Sequence, residues 1–144
     1  MTAPVEIRKK LRIGFAEARV RLAEALVREG FGVSEIDVAA ATRGSQDVPF
    51  EHYVVVEAID PRAAYRAVRA EPGVSALFPC QIALFERVDG HAEMAAEDPV
   101  HAVAPFGNPV LNDLARDLHE KLWRVFERLP GLPDGIHLGT RLQA

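Results

Sequence analysis

The stretch Cys80-Gln81-Ile82-Ala83-Leu84-Phe85-Glu86-Arg87-Val88-Asp89-Gly90-His91-Ala92-Glu93-Met94-Ala95-Ala96-Glu97 decides the fold. Successive side chains of a strand point to opposite faces, so Cys80, Ile82 and Leu84 share one side of an extended run. Ala92, Met94 and Ala96 share one side of the next run, with His91, Glu93 and Glu97 on the other. Between the runs stands Asp89-Gly90, a pair that accepts the positive backbone angles of a tight turn. The spacing predicts an antiparallel hairpin with strands at 80–87 and 91–97.

Three pairs, Asp60-Pro61, Asp98-Pro99 and Asn108-Pro109, read as helix starts. The acidic or amide oxygen caps free N–H groups, and proline fits the first helical position, where its missing N–H is no loss. A helix from Pro61 to about Ala70 follows the first pair, closed by Glu71-Pro72-Gly73. Another runs from about Pro109 to Leu129, where Leu111, Leu114, Leu118, Leu122, Val125 and Leu129 step by three and four into one apolar stripe. Ala18, Leu22, Ala25, Leu26 and Glu29 show the same spacing, predicting a helix near 16–29 that Gly30 ends. Strands are expected near Val5–Phe15, at Phe31–Val38, and at His52–Ile59, whose Tyr-Val-Val-Val is apolar on both faces. Residues 41–50 have the composition of a loop, and no internal repeat is present.

The expected order is β-α-β-β-α-β-β-α. That is an α+β fold with a mainly antiparallel sheet and helices packed on one face. Residues 1–129 are expected to form a single domain. Pro130 to Ala144 shows no period and reads as a tail, either flexible or crossing to a partner.

The 144 residues suit one domain, and 49% hydrophobic with 26% charged residues is the ordinary mixture of a globular chain. Seventeen Lys and Arg against 21 Asp and Glu leave a net charge of -4, which argues against a nucleic-acid partner. No run approaches the roughly 20 apolar residues of a membrane helix, and the start Met1-Thr2-Ala3-Pro4-Val5-Glu6 has no apolar signal core. The expectation is a cytoplasmic protein.

Cys80 is the first chemical candidate. An activated thiol needs a nearby cation, histidine or helix N-terminus, and its neighbours Pro79 and Gln81 supply none. A buried, inert cysteine is the plainer reading. His91, Glu93 and His101, with Glu97 and Asp98 nearby, offer imidazole and carboxylate for a divalent metal, although their spacing matches no metal motif. A polar outer face on a hairpin explains the same residues. His119 and Trp123, one turn apart beside the stripe of the last helix, suit a homodimer seam or core packing equally. Tyr53, Glu57, Glu35 and Asp37 fall on strands and could line a polar pocket. Arg62, Arg66 and Arg69 make a small positive helix face that reads as solvated surface. No phosphate loop, dinucleotide fingerprint or serine elbow occurs.

Gly30-Phe31 with Glu35-Ile36-Asp37, Asp60-Pro61 with Ala63 and Ala64, Glu71-Pro72-Gly73, Leu77-Phe78-Pro79-Cys80 and Asp98-Pro99 stand in a characteristic order. Together they resemble the family called domain of unknown function 302, over about residues 14–128. The resemblance implies a compact α+β domain and little about chemistry. Members of that family often carry glycine and cysteine before the Asx-Pro pair, where this chain reads Glu57-Ala58-Ile59-Asp60. A two-cysteine role is thereby closed to it, while Cys80 matches the family's Pro-Cys position.

The leading expectation is a non-catalytic homodimer that binds a small molecule or a partner, its cofactor undefined. Tyr53, Glu57 and Cys80 are the candidate lining of a concave sheet surface. The alternatives are a thiol-dependent enzyme or redox sensor using Cys80, with His52, His91 or His101 folded against it, and a divalent-metal protein using His91, Glu93 and His101.

Overall fold

The computed structural model describes residues 5–43 and 50–140. Strand β1 (Val5–Gly14) leads into helix α1 (Phe15–Arg28), whose Phe15, Ala18, Leu22, Ala25 and Leu26 are buried. Gly30 follows with φ 88°, a left-handed angle that lets the chain leave the helix without a Cβ clash. Strand β2 (Gly32–Asp37) ends where the Asp37 carboxylate accepts the Ala40 N–H and starts the single turn α2 (Val38–Ala41). Strand β3 (Tyr53–Ile59) is followed by α3 (Pro61–Ala70), capped by Asp60 on the Arg62 and Ala63 N–H groups. The hairpin pairs β4 (Cys80–Glu86) with β5 (His91–Glu97). Its turn places Gly90 at φ 86°, and the Asp89 carboxylate accepts the His91 N–H at 2.9 Å. Helices α4 (Pro99–Val103) and α5 (Pro109–Arg128) begin at the two remaining Asx-Pro pairs, with Asp98 and Asn108 as caps.

The strands form one antiparallel sheet in the order β2-β3-β4-β5-β1-β6, where β6 spans Gly131–Thr140. One face carries Ile7 and Leu11 of β1, Val54, Val56 and Ala58 of β3, Ile82 and Leu84 of β4, and Ala92, Met94 and Ala96 of β5, all buried. Against it pack α1 and the stripe Leu111, Leu114, Leu118, Leu122 and Val125 of α5, each at most 3% exposed. The stripe is therefore consumed inside the molecule.

The expected tail is a correction. Residues 131–140 are β6, the sixth strand of the same sheet, antiparallel to β1. Its alternation is masked because the register shifts between Leu11↔Gly131 and Lys9↔Ile136, so Leu132 to Gly135 bulge out of the ladder, with Gly135 at φ 71°. The element order thus gains β6, together with the short α2 and α4.

Lys9 joins three of these pieces. Period two puts it on the helix-covered face, where it is 6% exposed. Its Nζ donates to the carbonyls of Phe126 and Leu129, each at 2.6 Å, at the C-terminal end of α5. The Phe126 carbonyl also accepts the Leu129 N–H at 3.3 Å, and both carbonyls sit at the negative end of the helix dipole. Gly131 passes so close that a Cβ there would lie 2.4 Å from Lys9 Cε, which explains glycine at the entry to β6. Burial lowers the Lys9 pKa from 10.5, partly opposed by Glu127.

Replacing Lys9 with Met should remove about 1–3 kcal/mol of stability, because the Leu129 carbonyl loses its ammonium donor and the Phe126 carbonyl keeps only the Leu129 N–H. The pH dependence has a definite sign. The folded chain releases the Lys9 proton below 10.5, so between that lowered pKa and 10.5 the unfolded chain binds more protons. Urea melts should show the stability of wild type minus Lys9→Met rising with pH through this window; a flat or falling difference would contradict the burial of a charged Lys9.

Candidate functional site

Among the described residues no helix layer covers the second face of the sheet, and the strand register lays its residues out in rows. The central row runs Ile36, Val55, Ala83, Ala95, Arg8 and His137. On one side of it lie Tyr53, Phe85, Glu93 and Lys10. On the other lie Ser34, Glu57 and Gln81, then Glu97 and Glu6. The first flanking row is bulky. Tyr53 and Phe85 stack at 5.6 Å, and Phe50 meets both at 5.4 and 5.3 Å.

Toward the opposite flank the face is hollow. A cleft of about 270 Å³ is floored by Val55, Ala83 and Ala95 and bounded by Gln81, Glu97, Pro79, Pro99 and Ala102. Short side chains on neighbouring strands leave the hollow. The walls come from the loop entering β4 and from α4, which Asp98 fixes through its bond to the Val100 N–H. Asp98 is itself held by His119 Nδ1 at 3.0 Å. The hollow lies at the small end of ligand-site volumes and suits a single ring or a short apolar group. Glu97 and Gln81 offer a charge and an amide at its rim.

Of the expected lining residues, Tyr53 belongs to the aromatic cluster and Glu57 stands beside Gln81 at the cleft border. Cys80 borders the cleft where β4 begins, but it is 9% exposed and belongs to the helix-covered core. Among the described residues, no three His, Cys, Asp or Glu side chains come together in a way that could hold a metal ion. Glu93 is buried under Arg8, with which it forms an ion pair. His91 lies beside Asp89 in the hairpin turn, and His101 is in the first turn of α4. His52 stacks on Phe15 at 5.1 Å and faces Glu86. His119 stacks on Trp123 at 5.8 Å, so this pair has partners within the chain. Glu35 binds Arg19 at 2.7 Å, while Arg62 and Arg66 are exposed on α3 and Arg69 lies over the Tyr65 ring.

The cleft floor was missed because alanines carry no chemical signal. What identifies Ala83 and Ala95 is that the register sets them side by side on the uncovered face.

Burial pushes the Cys80 thiol up to about 12, and the Asp60 carboxylate adds to the rise. At pH 7 the thiolate fraction is then about one in 10⁵. Maleimide should label the native protein far more slowly than an exposed thiol at pH 7 and react readily once urea unfolds it. Fast native labelling would contradict this placement of Cys80.

Comparison with known proteins agrees with the architecture. The crystal structure of an uncharacterized conserved protein DUF302 from Bacillus stearothermophilus superposes with a TM-score of 0.79 at 24% sequence identity. The match covers 86% of this chain and 97% of that one. At that identity the likeness shows the fold alone. Among curated proteins none matches this chain. The family model for domain of unknown function DUF302 matches residues 7–129, from β1 through the end of α5, and the chain belongs to that family.

Proposed function

We propose that this chain is a non-catalytic binding domain, a homodimer whose working surface is the uncovered sheet face centred on the cleft. The observation that carries the reading is the cleft itself: a hollow of about 270 Å³ floored by Val55, Ala83 and Ala95, with Gln81 and Glu97 at the rim. A preformed apolar hollow with a few convergent polar groups is the usual form of a binding site. Cytoplasmic residence is part of the proposal. Cys80 is buried and free, as suits a reducing compartment, and no described helix is long and apolar enough to cross a membrane.

The thiol-enzyme alternative finds less support. Cys80 is buried among apolar side chains, and the nearby Asp60 carboxylate opposes its ionisation. Nucleophilic chemistry needs a base or a cation there instead.

Native mass spectrometry of untagged protein, set against the denatured mass, tests the reading. A dimer is expected, with any small-molecule ligand retained only in the native state. Ala95→Trp should fill the cleft and reduce that occupancy at least about tenfold, the loss expected when a buried contact of roughly 1.4 kcal/mol is blocked. A strict monomer of unmodified mass would refute the proposal.

A further inference from the structure

The uncovered face is lopsided in a self-complementary way. One flanking row rises in the ring cluster Phe50, Tyr53 and Phe85. From Val55, Ala83 and Ala95 of the central row toward Gln81 and Glu97 of the opposite flank, the face sinks into the cleft. The Tyr53 and Phe85 rings stand on one side of the central row on β3 and β4, and the hollow runs from the central row toward Gln81 and Glu97 on the other side. A two-fold axis along that row sets each strand over its counterpart and exchanges the flanks. The rings of one copy then meet the hollow of the other, twice, as an isologous contact requires.

We infer that the occupant of the cleft is a second copy of this chain, docked face to face through the uncovered sheet, with its Phe50–Tyr53–Phe85 cluster seated in the hollow. The inference rests on the proposal that the cleft is a binding site, and it names the partner. Charge is mixed: the axis sets Arg8 of the central row, which pairs Glu6 and Glu93 of its own copy, against its counterpart, while one exchanged pair is complementary. The same exchange sets exposed Lys10 against the second copy's Glu6. Glu93, which it brings toward the second copy's Glu97, is already bonded by Arg8.

Size agrees. Six strands about 4.8 Å apart and about 20 Å long present roughly 600 Å² in plan before side-chain relief is added, against about 800 Å² per partner in a standard interface. Ile36 is 49% exposed at one end of the central row, an apolar side chain such contact would cover.

Sedimentation velocity of the untagged chain tests this. We expect twice the 15.8 kDa chain mass at micromolar concentration. Ala83→Arg should dissociate the dimer while circular dichroism and the urea midpoint show a folded chain. Phe50→Ala, outside the sheet and so safe for folding, should weaken the dimer at least about tenfold, as loss of a central aromatic anchor does. Leu138→Arg, on the helix-covered side, should leave it intact. A monomer that retains a small molecule would overturn the inference and the homodimer, and leave the cleft standing as a small-molecule site. A monomer without added mass would overturn the cleft site as well. A dimer indifferent to Ala83→Arg and Phe50→Ala, or broken by Leu138→Arg, would place the contact elsewhere and overturn the inference.

Discussion

A sheet has two faces, and the helices of this chain are laid against one of them, which is the constraint the rest of the structure follows from. Helix α5 lies on the sheet with its apolar stripe buried, and α1 lies beside it. Burying a leucine stabilises by about 1.5–3 kcal/mol, so committing the stripe to the sheet is strongly favoured over presenting it to a partner. With α5 used up inside, the opposite face is the broad sheet surface left uncovered among the described residues.

Polar ties fix the helix layer in place. The Lys9 ammonium holds the last carbonyls of α5. Glu29, at the end of α1, takes Arg124 and Arg128. Asp60 caps α3 and also accepts Lys121 Nζ at 2.5 Å. Burial alone would raise the Asp60 pKa, yet the Lys121 bond and the N–H groups of Ala63 and Arg62 together bring it below the usual carboxylate value. Asp98 does the same double duty for α4, capping it while meeting His119 on α5. These contacts matter to the site indirectly. Asp98, through His119, ties α4, one wall of the cleft, to α5.

Much of this was legible in the residues. The Asx-Pro pairs located three helix starts, because capping and the proline φ angle are local physics. The hairpin followed from Asp89-Gly90 for the same reason. Strand β6 escaped because its pairing with β1 is interrupted by a bulge and its Gly and Pro residues suppress the alternation. The cleft escaped for a different reason. Its floor is made of alanines and a valine, and its existence depends on which strands are neighbours, a long-range fact. Lys9 escaped too, since a lysine in an alternating run reads as solvent-facing until the helix end above it is known.

The central claim is that the uncovered face, and not the helix layer, is the recognition surface. Hydroxyl-radical footprinting of the unmodified chain over a range of protein concentration tests it most directly, because it reads the side chains themselves. The account predicts that Tyr53, Phe85 and Val55 lose reactivity as concentration rises, while Tyr65 on α3 and Trp123 on α5 do not change. Protection that appears instead at Trp123 and Leu138, or no concentration dependence anywhere, would contradict it.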